Sequence, residues 1–335
     1  MSRGEENLAE RLDKILKNLQ KINFGSKWIT IPFLALIFYY IFAYFKNNIA
    51  DLQEQEFHFQ VSKLLIPGLL IWAAMLLNAF VYHQIIAGLD SRAKLGPNIR
   101  IWFYSYLGRF FPGKVGLVAS RVVLHKQHNI SGRIALFAFY LETLISAITT
   151  LFIYLFSTIV FDYPFLQNYR VFSWILMVIC LLAVHPRFIR YQLSLLMKLK
   201  GETQKLDYNL NFMTLLSIFI LRIVIWGLLG LSFYYTIIAF IQIPFHYYPY
   251  LTGIFALGNI IGLLAVFAPS GLGVLEGILL LGLKYIVPDG IAVVISIAVR
   301  IVKVIAELSI IFIVYGIVKL YHLENSKIVT DTGKK

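Results

Sequence analysis

The chain has 335 residues, of which 59% are hydrophobic and only 14% are charged, with a formal net charge of +13. Soluble domains carry about 25% charged residues, so this composition excludes a soluble fold and leaves no room for a separate soluble catalytic domain. The single cysteine, Cys180, excludes a disulfide framework and a cysteine-based metal site.

The first segment, residues 1–27, is polar, and we expect it to lie on the cytoplasmic membrane surface. Between residues 7 and 22 apolar side chains recur at helical spacing, with Lys and Glu on the opposite face. This pattern predicts an amphipathic helix on the membrane. A helix packed on loops of the same protein would give the same pattern.

Six apolar segments follow that are typical of membrane-spanning helices, although one of them is short. A spanning helix needs about 20 mostly apolar residues. The segments are residues 28–45, 64–86, 134–161, 171–184 (the short one), 212–241 and 291–318. We therefore predict an all-α polytopic integral membrane protein, with one membrane domain over residues 28–320 and a cytoplasmic polar tail over residues 321–335.

Two more apolar segments, near residues 98–125 and 251–287, are interrupted by Gly and Pro. A broken helix is tolerated at membrane depth only where protein or a water-filled cavity covers its free backbone groups. We therefore interpret the first as a re-entrant hairpin and the second as the same device. In both, a Pro precedes a Gly by four residues, and such breaks in two halves suggest an internal repeat with a substrate site at its interface.

The cations are concentrated on alternate sides of the predicted spans. They cluster before residue 28, in residues 90–133, in residues 185–212 and after residue 318. This positive-inside pattern places both termini in the cytoplasm, and we expect the protein in the plasma membrane. The net charge therefore reports topology and contact with anionic lipids rather than binding to nucleic acid.

The residues around the two breaks form extended motifs. The first reads Gly-x-x-x-Pro-Gly-x-x-Gly-x-x-x-x-Arg from Gly108 to Arg121, with an acidic residue, Glu142, in the next span. The second reads Pro-Ser-Gly-Leu-Gly-Val-Leu-Glu from Pro269 to Glu276. Over residues 25–320 the chain resembles the membrane region of lysylphosphatidylglycerol synthases, whose second motif usually has Gly where Ser270 stands. The resemblance implies a flippase-like domain; full-length synthases add a soluble aminoacyl-transfer domain, which we expect to be absent here, together with lipid aminoacylation.

The breaks and the charges near them form the candidate site. Helices that begin near Gly116 and Gly273 would present free N–H groups to a phosphate-bearing headgroup, and Arg109, Lys114 and Arg121 would add full charges. Alternatively, these cations lie at the cytoplasmic interface and serve topology only. The predicted substrate-binding residues are Arg109, Pro112, Gly113, Lys114, Gly116, Arg121, Glu142, Pro269, Gly271, Gly273, Glu276 and Arg300.

Charges inside the spans are costly, about 2.5 kcal/mol or more each, and are therefore functional candidates. Beside Glu142 they include Arg222 and the group Arg300, Lys303 and Glu307 on one face of the last span. They either neutralise one another as structural pairs, or form a polar lane for a headgroup or a proton-carrying carboxylate.

No cofactor site is expected. Residues 108–115 read Gly-x-x-x-x-Gly-Lys-Val, which lacks the Ser or Thr that a phosphate-binding P-loop needs after its Lys. The seven histidines form no metal-binding spacing.

The sequence thus predicts a lipid translocator, not an enzyme, that moves a phosphate-bearing headgroup between leaflets without ATP hydrolysis. Expected partners are an anionic or aminoacylated phospholipid, or a polyprenyl-phosphate-linked lipid. One alternative is a non-transporting membrane partner of a lipid-modifying enzyme or glycosyltransferase. Another is a membrane-embedded enzyme acting on lipid-linked intermediates, with Glu142 or Glu276 as its acid or base.

Overall fold

The computed structural model describes residues 60–110, 115–161, 164–168, 170–185, 187–188, 191, 210–265 and 271–332. Three predicted features lie outside the described residues: the amphipathic helix, the first span, and the break residues Pro112, Gly113, Lys114 and Pro269.

The described part of the chain is helical and contains no strand, which confirms the all-α prediction. Its helices are α1 (Leu65–Leu89), α2 (Leu95–Tyr106), α3 (Val115–Lys126), α4 (Gly132–Val160), α5 (Pro164–Gln167), α6 (Arg170–Val184), α7 (Phe212–Ile238), α8 (Tyr248–Leu264), α9 (Val274–Leu283) and α10 (Asp289–Thr332). Short 3₁₀ turns precede α1 (Val61–Leu64) and α8 (Phe245–Tyr247) and follow α2 (Leu107–Phe110).

Within the described ranges, five helical segments are long and apolar enough to cross a bilayer. They are Ser62–Leu89, Gly132–Val160, Phe212–Ile238, Phe245–Leu264 and Asp289–Leu320. Four of these correspond to predicted spans. The fifth, Phe245–Leu264, is the first arm of the second broken segment, and the 3₁₀ turn before α8 extends this arm to full length.

Two predicted segments differ in length from the observed helices. The segment predicted as the short span forms α6, which has 15 residues. At 1.5 Å per residue α6 is about 22 Å long, less than the hydrocarbon thickness of a bilayer. In contrast, α10 has 44 residues and continues past the predicted end of the last span, because no Gly or Pro stands between Gly316 and Thr332.

Both broken segments fold into helical hairpins, α2 with α3 and α8 with α9. Glycines allow the arms of each hairpin to meet. A Cβ atom on Gly108 would overlap the backbone of Gly116 and Leu117. In the second hairpin Gly271 has a φ of 69°, and a Cβ atom there would lie 3.2 Å from the Cα of Gly262. The sequence breaks therefore mark the points where the two arms come closest.

The two halves of the described chain repeat one arrangement, in which a long helix is followed by a hairpin and a second long helix. In the first half these are α1, α2 with α3, and α4; in the second half they are α7, α8 with α9, and α10. The leading helices α1 and α7 pack together, while α3 packs on α4 as α9 packs on α10. This order supports the internal repeat suggested by the two Pro-and-Gly breaks.

We expect Gly108→Ala to lower the free energy of unfolding by about 1–3 kcal/mol, because its Cβ atom would meet backbone that cannot move aside. Gly96→Ala, in the same hairpin, is the matched control, since a Cβ atom there meets nothing within 4 Å. Thermal unfolding in detergent measures both. Equal melting temperatures for the two variants would contradict the tight contact between the hairpin arms.

Candidate functional site

Eight charged side chains lie inside the bundle, where the two halves meet. We call them the buried charge cluster: Arg109, Arg121, Glu142, Arg222, Glu276, Arg300, Lys303 and Glu307. An isolated charge in apolar surroundings is expensive, so each must find a partner or face a polar cavity.

Glu142 on α4 is the centre of the largest group of contacts in this cluster. It is ion-paired with Arg121 on α3, and a guanidinium nitrogen of Arg222 on α7 lies 3.6 Å from its Oε1 atom. The indole N–H of Trp102 on α2 donates to the same Oε1 atom at 3.0 Å. One carboxylate therefore ties four helices together.

Arg121 is enclosed rather than placed at a solvated interface. Only 2% of the residue is exposed. Its Nε atom donates to the hydroxyl of Ser105 at 3.2 Å, and its guanidinium lies 4.2 Å from the ring centroid of Tyr82. Because its contacts are all inside the first half, Arg121 positions Glu142 and holds the first hairpin against α4.

A second contact joins the first hairpin to the last helix. Arg109 donates to Glu307 on α10 at 2.8 Å, and the Tyr106 hydroxyl donates to the same carboxylate oxygen at 3.0 Å. Arg109 lies in the 3₁₀ turn at the first break. The break is therefore anchored to the opposite half of the protein.

The third contact lies in the second half. Glu276 on α9 accepts a hydrogen bond from the Gly273 N–H at 2.7 Å, and its other carboxylate oxygen lies 3.4 Å from the Nε atom of Arg300 on α10. The sequence predicted that the Gly273 N–H would be free to bind a headgroup. Instead, it is bonded to Glu276, which caps its own helix.

Each half has an ion pair between the helix after its break and the next long helix. The cation and the carboxylate are on opposite members of this pair in the two halves. In the first half the helix after the break carries the cation, Arg121, and the next long helix carries the carboxylate, Glu142. In the second half the helix after the break carries Glu276 and the next long helix carries Arg300. Each pair fixes a hairpin to its following helix in the same way.

A cavity of about 240 Å³ lies between the two halves. Its polar wall contains Asn78 on α1, Arg109, Arg222 on α7, Asn259 on α8, and Lys303 and Glu307 on α10. Gly262 and Gly271 of the second hairpin also line it. A site that holds one water needs only about 10–15 Å³ of such volume, so this cavity has room for a headgroup or for several waters.

The cavity wall carries more positive than negative charge. Arg109, Arg222 and Lys303 face it, with Glu307 as the carboxylate among its lining residues. The Lys303 amine donates to the Asn259 side-chain oxygen at 3.4 Å, and no carboxylate among the described residues lies within 4 Å of it. The whole buried charge cluster has five cations and three carboxylates, so the cavity suits an anion.

The structure divides the predicted site residues into two groups. Arg109 and Gly271 line the cavity. The others that are described are not among its lining residues: Gly116, Arg121, Glu142, Gly273, Glu276 and Arg300.

The predicted substrate-binding set omitted five charged or amide side chains of the cavity wall. Of these, Arg222, Lys303 and Glu307 had a signal in the sequence as charges inside apolar runs. Asn78 and Asn259 had only a weak one, since a single neutral amide in a membrane helix also serves as a hydrogen-bonding group between helices. Within the described ranges, no three His, Cys, Asp or Glu side chains are placed to hold a metal ion.

Comparison with protein families gives one match. The model of the family described as the lysylphosphatidylglycerol synthase transmembrane region matches residues 28–310, a range that includes both hairpins and the whole buried charge cluster. No curated protein matches the chain at a significant level.

We expect Glu142→Gln to destabilise the protein by about 3–5 kcal/mol, because it leaves two buried guanidiniums without their carboxylate. Asp90→Asn is the control. Asp90 pairs with Arg92, whose side chain is 60% exposed, and the hydrogen bonds from Arg92 lower the pKa of the Asp90 carboxyl below its ordinary value. The Asp90 side chain is only 5% exposed, but its guanidinium partner stays in solvent, so Asp90→Asn leaves no buried cation unpaired and should cost less than Glu142→Gln.

Thermal unfolding in detergent again provides the measurement for these two variants. If Glu142→Gln is no less stable than Asp90→Asn, then Glu142 does not hold the buried cations in place.

Proposed function

Because the chain belongs to the lysylphosphatidylglycerol synthase transmembrane-region family, we propose that it is a membrane lipid translocator. It is a multi-pass membrane protein, and its family is one of membrane domains associated with lipid metabolism. In this proposal the cavity between the two halves carries a phosphate-bearing headgroup between leaflets, and the lipid is moved rather than chemically converted.

The observation that carries the proposal is the positive charge of a cavity inside an apolar bundle. Three cations and one carboxylate face that cavity. A phosphate headgroup cannot cross hydrocarbon alone, since burying an unpaired charge costs many kcal/mol. Guanidinium and ammonium groups compensate that cost through charge-assisted hydrogen bonds to phosphate oxygens.

The three cations of the cavity wall differ in how freely they can bind a headgroup phosphate. Lys303 makes one long hydrogen bond to Asn259 and can turn to a phosphate at little cost. Arg222 is held by Asn78 and faces Glu142 at 3.6 Å, so it offers its charge from a fixed position. Arg109 is bonded to Glu307 and connects headgroup binding to the first hairpin.

In this mechanism each half moves as a unit together with its hairpin. Each hairpin ends at the cavity or beside it, and ion pairs fasten it to neighbouring helices. Rocking of one half against the other would open the cavity alternately to the two leaflets. The movement would be downhill or coupled to an ion or to the membrane potential, without ATP hydrolysis.

The charge balance ranks the candidate lipids. An anionic phospholipid or a polyprenyl-phosphate-linked lipid would neutralise the excess of cations in the cavity. An aminoacylated phospholipid would place its phosphate among the same cations and its ammonium beside Glu307. We propose the anionic lipids first, and a lipid-modifying enzyme remains a candidate partner.

We also propose the plasma membrane as the location, with both termini cytoplasmic. The cation-rich connection between α1 and α4 and the later part of α10 lie at the same end of the bundle, since the rings of Tyr104 and Tyr315 are 6.1 Å apart. This placement agrees with a common cytoplasmic side for that connection and the C-terminal segment.

We expect Lys303→Met to slow lipid flipping by about tenfold or more, because one charge-assisted hydrogen bond contributes about 1.5–3 kcal/mol. Dithionite quenching of fluorescent phosphatidylglycerol in proteoliposomes measures the initial rate. Lys94→Met is the matched control, since it removes the same charge from an exposed position outside the cavity.

The transport proposal fails if the wild-type protein flips none of phosphatidylglycerol, its aminoacylated form and a polyprenyl phosphate. Turnover of a radiolabelled lipid extract by the purified protein would instead favour a membrane-embedded enzyme. Equal rates for Lys303→Met and Lys94→Met would place the headgroup path elsewhere.

A further inference from the structure

A second cavity, of about 380 Å³, lies at the end of the bundle away from the buried charge cluster. It is bounded by α2, by the end of α3 with the turn after it, and by the later part of α10. The polar side chains that line it are Arg100, Tyr104, Gln127, His128, Tyr315 and Lys319. It shares no lining residue with the first cavity, between the two halves, which we call the central cavity.

Two cations from different helices face this second cavity. Arg100 belongs to α2 and Lys319 belongs to α10. In the described part of the chain neither has a carboxylate within 4 Å, and the Arg100 side chain donates a hydrogen bond to the Gly96 carbonyl at 3.4 Å. Their charges are therefore available to one bridging anion.

The rest of the wall is suited to a lipid rather than to a free ion. The rings of Tyr104 and Tyr315 meet edge to face at 6.1 Å. Ile101, Leu124 and Val318 complete an apolar surface next to the cations. Tyrosines are enriched at the depth of lipid headgroups because the ring is apolar and its hydroxyl is polar. Exposed apolar side chains of α10, including Ile317 and Leu320, continue this surface outward.

We propose that this second cavity binds the headgroup of an anionic phospholipid that is not the transported molecule. Its phosphodiester bridges Arg100 and Lys319, the polar side chains of Gln127 and His128 border the glycerol moiety, and the acyl chains follow the apolar face of α10. Basic pockets between membrane helices on the cytoplasmic side bind anionic headgroups by the same chemistry. Such a lipid would fasten the first hairpin to α10, the helix that also carries Lys303 and Glu307.

The test uses photoactivatable phosphatidylglycerol with a diazirine close to its headgroup, added to the full-length protein in detergent. Labelled peptides are identified by mass spectrometry. We expect labelling of peptides from residues 95–104 and 315–320. Each cation near an anionic headgroup contributes about fivefold to affinity, so Arg100→Gln/Lys319→Gln should weaken binding about thirtyfold.

Two controls separate this site from general charge effects and from the transport cavity. Lys94→Gln/Lys126→Gln removes two exposed cations from the same end of the bundle, outside the second cavity, and should retain labelling. Lys303→Met should also retain it, because Lys303 lines only the central cavity. If Lys303→Met loses lipid flipping but keeps labelling, the defect lies in the transport site alone.

Three outcomes would overturn the proposal. The first is equal labelling of the wild-type protein and Arg100→Gln/Lys319→Gln at matched melting temperature. The second is equal loss in both double variants. The third is competition by inorganic phosphate as effective as that by short-chain phosphatidylglycerol, which would make the site one for a soluble anion. Phosphatidylcholine should compete weakly.

Discussion

The pairing of Glu142 with two buried guanidiniums is the interaction on which the rest of the structure depends. Its partners Arg121 and Arg222 come from different halves of the chain, and Trp102 adds a hydrogen bond from the first hairpin. A charge left alone in such surroundings costs several kcal/mol, so these helices can assemble only in a register that brings the charges together. Hydrophobic packing alone would permit several registers.

The same constraint explains why a polar cavity exists. Three carboxylates cannot neutralise five cations, and the excess appears where the two halves meet. Arg121 and Arg300 are used within their own halves, each fixing a hairpin to the next long helix. Lys303 and Arg222 remain facing the cavity. The repeat thus supplies the rigid frame, and the unbalanced charge supplies the affinity for an anion.

Long apolar runs made most of the fold predictable, because a helix satisfies its backbone hydrogen bonds within one continuous segment inside a membrane. The breaks were predictable from Pro and Gly, and the hairpins followed from them. The partners of the charges were not predictable. Arg300, Lys303 and Glu307 share one face of α10 in sequence, yet they contact Glu276, Asn259 and Arg109, respectively. Those partners lie on three other segments, and single-sequence spacing carries no information about packing between helices so far apart.

A cryo-electron microscopy map of the protein in nanodiscs of phosphatidylglycerol would test the central claim most directly. The account predicts density for a phosphate in the central cavity, within hydrogen-bond distance of about 3 Å from the Lys303 amine or the Arg222 guanidinium. A cavity filled by an acyl chain, or one whose lysine and arginine pair with newly positioned carboxylates while lipid phosphates stay outside the bundle, would contradict it.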